Sequence, residues 1–438
     1  MLLHYKIIRM IKSPNILADP INRSLTLDVI RGFAVIGMIF VNILVFVPDI
    51  NDYKIIYVLF DGKMRALFAL LFGAGIIIFF QSNTVYTINK SDYFSRRMLW
   101  LLLLGLIHAY FLLWPGSILF EYAVCGLLLF TLRVLSAKIL IILSCLILGF
   151  YIYLNSKDYS ESYETYIGYE RALQMERANQ VVPDDLLKKK EKFEEYLENF
   201  PPFSITKKEK LEEDKIKKIK LYRSSLINIY DQNINTANES LSLGVYLNIL
   251  ESLGTMLLGM ALFKLGFFEF KLKKYLYFFF ILIGIPLGVF LYFLLYKCHQ
   301  PSKNELLEIY SWKSFSEFII EGPARIIFSL GYCSLLIYVC RLHFFKPILV
   351  LLGNVGRMAL SNYVIQTVIC VLCFYMLNYY GSFNIKELTI FSVSIILFQL
   401  TVSYFCIKYF RSGPIEYLWR KLSQKNLQES ATNTNSNK

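Results

Sequence analysis

The stretch "HAYFLLWPGSILFEYAVCGLL" (108–128) places a histidine and a glutamate where only hydrocarbon-loving residues are expected. His108 stands six residues before Trp114 and Glu121 five after Gly116, on either side of a tight turn at Trp114–Ser117. At a rise of about 1.5 Å per residue both lie about 8 Å from that turn, so two antiparallel helices would hold them at equal depth. A carboxylate beside a histidine fixes its tautomer and raises its basicity, as general-base catalysis requires. A buried structural hydrogen bond between the two is the competing reading.

The other ionisable residues inside apolar runs are Asp28, Arg31, Glu251, Glu321, Arg325 and Arg357. Charges in hydrocarbon are costly, so they pair or line a water-filled cavity. Asp28 and Arg31, at i, i+3, can pair along one helix, as can Glu321 and Arg325 at i, i+4 around Gly322-Pro323. Arg65, at the outer end of its helix, can join that second pair. Arg357 is long enough to reach an interface by itself. No Walker A run, G-x-G-x-x-G or HExxH is present. All eight cysteines except Cys298 fall in apolar runs, with no metal-ligand spacing.

The elements that must position these groups follow from composition. The chain has 438 residues, 56% hydrophobic and 16% aromatic, with mean hydropathy +0.47. That marks an all-α integral membrane protein. A span needs about 20 mostly apolar residues. Ten segments qualify: 26–48, 64–81, 97–114, 116–136, 138–155, 242–264, 275–297, 317–340, 347–379 and 387–409. The ninth is too long for one straight helix and is expected to break near Gly353 and Gly356. The organisation is a basic N-terminus (1–25), five helices (26–155), a charged loop (156–241), five helices (242–409) and a basic tail (410–438).

The formal charge of +13 excludes a nucleic-acid reading once it is divided along the chain, because residues 156–240 carry 15 basic and 17 acidic side chains. The positive excess flanks apolar segments instead. With the N-terminus inside, short cytoplasmic loops hold 21 Lys/Arg and short outer loops 7. Both termini are therefore expected in the cytoplasm and the loop outside. Its helices "LLKKKEKFEEYLENF" and "KKEKLEEDKIKKIKLYR" are amphipathic and suit either a cap over the bundle or a solvated spacer.

Seven stretches, in order, resemble one family: "LTLDVIRGFAVIGMIFVNI", "KMRALFALLFGAGI", "RRMLWLLLLGLIHAYFLLWPGSILFEYAVCGLLL", "LESLGTMLLGMALFKLGFF", "GPARIIFSLGY", "GNVGRMALSNYVIQTVIC" and "FRSGPIEYLWRKLS". Together they resemble the YeiB family (DUF-418) of bacterial inner-membrane proteins, from about residue 23 to 423. YeiB-like proteins are similar to the transmembrane acyltransferases typified by heparan-α-glucosaminide N-acetyltransferase, with which this sequence shares the opening L-D-x-x-R-G-x-A. Two departures stand out. The histidine of that enzyme follows its first helix, whereas 44–95 here holds none, and many YeiB-like sequences are acidic where this one has Ser117.

The resemblance implies transfer of an acyl group from cytosolic acyl-CoA, a donor substrate, to a cell-envelope sugar or lipid. His108 would deprotonate the acceptor, Glu121 orient it, and Asn42 or Arg325 stabilise the oxyanion. Arg31, Arg97 and Arg357 would neutralise the CoA phosphates. Asp28, Arg65, Asn362 and Gln366 complete the substrate-binding set. The expected location is the bacterial inner (plasma) membrane, with the lipid bilayer as partner. No metal, prosthetic group or nucleic acid is indicated, and the oligomeric state is left open, a dimer included. The alternative class is a transporter or exporter of a small amphiphile or peptide, since intramembrane charges and kinked helices suit a translocation path.

Overall fold

In hydrocarbon every backbone N–H and C=O must find its partner inside its own segment, so long apolar runs become helices. A computed structural model of the chain describes residues 20–47, 54–82, 89–199, 205–242, 244–298 and 312–435. No strand occurs among them. Most of the expected N-terminal segment, 1–19, lies outside the described residues, as does 436–438.

The first half contains α1 (Pro20–Asn42), a short α2 (Lys54–Leu59), α3 (Lys63–Gln81), α4 (Lys90–Tyr110), α5 (Ile118–Leu132) and α6 (Ala137–Arg177). Three surface helices follow: α7 (Asp184–Asn199), α8 (Ile205–Tyr222) and α9 (Leu226–Ser242). The second half begins with α10 (Gly244–Lys264), then α11 (Lys274–Phe279) and α12 (Ile285–Cys298) joined through a π turn. It ends with α13 (Trp312–Val339), α14 (Lys346–Arg357), α15 (Ala359–Val371), α16 (Ile385–Phe410) and α17 (Pro414–Asn435).

Eight helical stretches among the described residues are long and apolar enough to cross a membrane, and the chain is an all-α membrane protein. Ten spans were expected. The two that fall short are the third and fourth, α4 and α5. α5 has 15 residues, about 22 Å of rise against a hydrocarbon core of about 30 Å. α4 is longer, but Arg96, Arg97 and His108 lower its hydropathy. The expected break in the ninth segment falls at Met358, between α14 and α15.

The expected boundary at 155–156 is not a break. α6 runs on for 41 residues, about 60 Å, and carries the charged segment as a rigid extension. There Tyr166 and Phe193 of α7 bury each other, with ring centroids 5.4 Å apart. Burial, with Glu170 beside it, pushes the Tyr166 phenol up to about 12. α8 and α9 then return to the bundle. Tyr222 stacks on Tyr380 at 4.5 Å, Arg223 Nε donates to the Tyr380 carbonyl at 2.9 Å, and Ile229 is fully buried among Phe46, Trp114 and Phe374. Through these contacts α8 and α9 lie against one end of the bundle. The opposite end, where α17 lies, is called the terminal end below.

Two helix pairs make the frame: α3 lies along α10, and α1 along α14. The second crossing is backbone against backbone, since a Cβ on Gly356 would sit 1.8 Å from the Asp28 carbonyl oxygen and one on Gly32 2.0 Å from that of Leu352. Neither obstacle is a side chain that can turn away. Gly356→Ala must therefore push α14 off α1, at a cost of about 1–3 kcal/mol. Thermal melting of the purified variant in detergent should come several degrees lower, and an unchanged midpoint would refute this account of the crossing.

Candidate functional site

At the terminal end, seven helices enclose a cavity of about 440 Å³. Arg31 of α1, Arg97 of α4 and Arg357 of α14 surround its mouth together with Glu416 and Trp419 of α17. Arg31 is held by Asp28 at 2.9 Å, the expected pair. The Arg97 guanidinium lies 4.1 Å over the Trp419 ring, and Trp419 Nε1 donates to the Arg97 carbonyl at 2.7 Å. Arg357 Nη2 donates to the Arg411 carbonyl at 3.1 Å.

Below the mouth the wall is almost wholly apolar. It follows α3 from Phe79 to Phe68, eleven residues or about 16 Å of rise, half the thickness of a hydrocarbon core. Its inner part is walled by Tyr122 and Tyr363. A polar rim over an apolar shaft, with few polar groups to fix orientation, is the usual anatomy of a small-molecule site.

His108 lies immediately behind this wall. Its ring is fully buried, 5.0 Å from the Tyr363 ring and 6.4 Å from Trp114, measured between centroids. Nε2 is 3.0 Å from Thr367 Oγ1, whose own hydroxyl has the Tyr363 carbonyl 3.5 Å away. If the Thr367 hydroxyl directs its proton to that carbonyl, Nε2 carries the imidazole proton. Nδ1 is then an acceptor, and it is buried with no hydrogen-bond partner.

Behind Tyr122 lies a second centre, made of charges. Arg325 of α13 bonds Glu251 of α10 through Nη1 and Glu321 of its own helix through Nη2. The other Glu251 oxygen accepts from Arg65 Nη2 at 2.7 Å, and Arg65 Nη1 reaches Asn248 at 3.3 Å. One carboxylate thus joins α3, α10 and α13. Lys63 is fully buried beside it, donating to the Tyr57 carbonyl at 2.9 Å with its ammonium 2.8 Å from the Tyr292 ring centroid. Tyr122 links the two centres: it lines the cavity, and its hydroxyl donates to the Arg65 carbonyl at 2.9 Å.

Residues 262–426, which include Arg325, Arg357, Tyr363 and Glu416, match the family model described as "Protein of unknown function (DUF418)". The chain is 27% identical over 427 residues to the uncharacterized protein YeiB of Escherichia coli (strain K12), covering 92% of this chain and 96% of that one. It is 25% identical over 439 residues to the uncharacterized protein YxaH of Bacillus subtilis (strain 168), covering 93% and 96%. Over more than nine-tenths of its length the chain is similar to YeiB and YxaH. No solved structure matches it.

The three arginines Arg31, Arg97 and Arg357 line one cavity. The His108–Glu121 pair, in contrast, is not formed. His108 bonds Thr367, whereas Glu121 sits near Arg65, Glu251 and Ser252 with Oε2 buried and unpartnered. The two side chains leave their helices toward different neighbours. Glu321 and Arg325 pair as expected and Arg65 joins them, through Glu251 rather than directly.

Asn362 and Gln366 do not line the cavity. Asn362 Nδ2 donates to the Val355 carbonyl and Ser403, and Gln366 Nε2 to the Val35 carbonyl and Gln399. Asn362 thus ties α15 to α14 and α16, and Gln366 ties it to α1 and α16. Asn42, at the end of α1, keeps an unpartnered Nδ2. Sequence reasoning missed Lys63, Tyr122, Tyr363, Thr367 and Glu416. Only Lys63 gave a signal, as a charge at the start of the apolar run 64–81.

Proposed function

We propose that this protein transfers an acyl group from a cytosolic acyl-CoA to a cell-envelope sugar or lipid acceptor. The observation that supports the reading is the cavity: three guanidinium groups at its mouth, an apolar shaft, and His108 one side-chain layer beyond its inner wall. The terminal end faces the cytoplasm in this reading, so the CoA phosphates meet Arg31, Arg97 and Arg357 and the pantetheine arm descends along α3. The acceptor approaches from the end where α8, α9, Trp114 and Asn42 lie. Its hydroxyl or amine attacks the thioester carbon as His108 Nδ1 removes the proton; the new C–O or C–N bond forms, the C–S bond breaks, and the proton passes to the departing thiolate. Thr367, not Glu121, holds the imidazole in the required tautomer.

The test uses the full chain in nanodiscs with labelled acetyl-CoA and envelope extract. Thiol release with label appearing in the extract is expected. Gly75 is the control, since its Cα faces open space on the cavity wall, with nothing within 4 Å of an added Cβ. Gly75→Leu should fold normally yet bind CoA at least about tenfold more weakly, as a filled pocket does. Absence of both CoA binding and thiol release in the wild type would end the acyltransferase reading. A transporter is then the reading left, favoured by one observation: a cavity and a charge network meet at Tyr122 from opposite ends of the bundle.

A further inference from the structure

The cavity mouth carries three guanidinium groups and one carboxylate, Glu416. Among the described residues that carboxylate forms no salt bridge with any of the three but turns to Ser361 of α15. Its Oε1 accepts from the Ser361 amide at 3.0 Å and its Oε2 from the Ser361 hydroxyl, which in turn accepts from the Ile415 amide at 3.0 Å. The turn before α17 is shaped around this contact. A Cβ on Gly413 would lie 2.0 Å from Glu416 Oε2 and 2.6 Å from Ser361 Oγ, so only glycine leaves the carboxylate its place. The result is an anionic group, part of the chain itself, seated among hydrogen-bond donors at the edge of an arginine-lined cavity whose excess charge is positive.

We propose that this is a phosphoryl subsite: a phosphate of the ligand's head displaces the Glu416 carboxylate, taking the Ser361 amide and hydroxyl with Arg357 and Arg31 as its partners. The proposal rests on the reading that the cavity binds a phosphate-bearing ligand, and it adds the residue that competes with that ligand and the place where the phosphate sits. A phosphate presents three acceptor oxygens and up to two charges where the carboxylate presents two and one, so it draws more from the guanidinium groups. Displacement frees the start of α17, and because Trp419 of that helix covers Arg97, ligand occupancy is coupled to the position of α17 at the mouth.

The experiment is titration of the full chain, in phosphatidylcholine nanodiscs, with adenosine 3′,5′-bisphosphate, a head group that has neither thiol nor acyl group. Glu416→Gln removes the competing charge at nearly constant size. It should bind the probe about tenfold more tightly than the wild type, whereas Arg357→Gln should bind it about tenfold more weakly, as expected for gaining or losing one charge-assisted contact. Equal or weaker binding by Glu416→Gln overturns the proposal. A second measurement needs no variant: saturating probe should speed amide hydrogen exchange across 414–420 in the wild type, and unchanged or slower exchange overturns it. Nanodiscs containing phosphatidylglycerol separate two sources of the phosphate. Competition by that lipid assigns the subsite to a lipid head group, and undiminished probe binding assigns it to a soluble nucleotide. Head-group binding without acyl transfer would leave this subsite standing while removing the enzymatic reading.

Discussion

Arg325→Met should be among the most destabilising single changes in this chain. The guanidinium is buried and bonded to Glu251 and Glu321, with Tyr292 Oη 3.4 Å from Nε. Methionine fills much the same shape but leaves Glu251 with Arg65 alone and Glu321 with no basic partner in its ion pair. Removing one member of a buried pair costs about 3–5 kcal/mol, because the charge left behind has lost its water without keeping its counter-ion. Such a loss is a large part of the stability of an ordinary domain, about 5–15 kcal/mol. The melting midpoint in detergent should fall by about 3–5 °C, the loss divided by the unfolding entropy of a chain this long. Adding Glu321→Gln should recover part of it, since one of the stranded charges is then gone. If the single variant melts within a degree or two of the wild type, the cluster is not a tie between α3, α10 and α13, and the bundle is held by apolar packing alone.

That cluster also shows what spacing can and cannot convey. Glu321 and Arg325 were legible because both lie on one helix, where residues four apart are always neighbours. Glu251 was visible as a costly charge but not as the hub, since nothing along the chain links position 251 to 65 and 325. Only the packing of α3, α10 and α13 does that. The arginine mouth was legible for a related reason: Arg31, Arg97 and Arg357 each lie near a helix end of the same orientation, so charge distribution alone brings them to one level. Their closure around a cavity depends on Trp419 and Glu416, which come from a helix beyond the last span.

His108 and Glu121 illustrate the opposite case. Rise per residue gives depth well, but the direction a side chain takes depends on how its helix is rotated, about 100° per residue, and tertiary packing sets that rotation. Here the α4–α5 contact is made at Gly105, where an added Cβ would lie 2.5 Å from the Phe120 amide nitrogen. The hairpin closes on that point. His108 is left facing α15 and Glu121 facing α3 and α10, as their partners Thr367 and Arg65 show. The eight qualifying spans follow from composition; the shortness of α5 and the unbroken run of α6 past residue 156 do not, because a polar surface sequence can be as helical as an apolar one.

His108→Ala should reduce acyl transfer by about 10²–10⁴ while leaving CoA binding at the mouth unchanged, as loss of a general base does. The two effects separate because His108 is not on the cavity wall; Tyr363 stands between. The alternative is that His108 is a packing residue whose only work is its bond to Thr367. Truncation then leaves a void beside Tyr363, and both stability and CoA affinity should fall together as the wall relaxes. Thr367→Val distinguishes these further. It keeps the side-chain volume and removes the hydroxyl that fixes the Nε2–H tautomer. Under the catalytic reading it lowers kcat while KM for acyl-CoA holds, because Nδ1 is the free acceptor for only part of the time. Under the packing reading Thr367→Val costs little more than one hydrogen bond, about 0.5–1.5 kcal/mol, and turnover follows stability. A His108→Ala variant with full turnover would remove the histidine from the chemistry. The unpartnered Oε2 of Glu121, behind Tyr122 and beside Arg65, would then be the next group to test as the base.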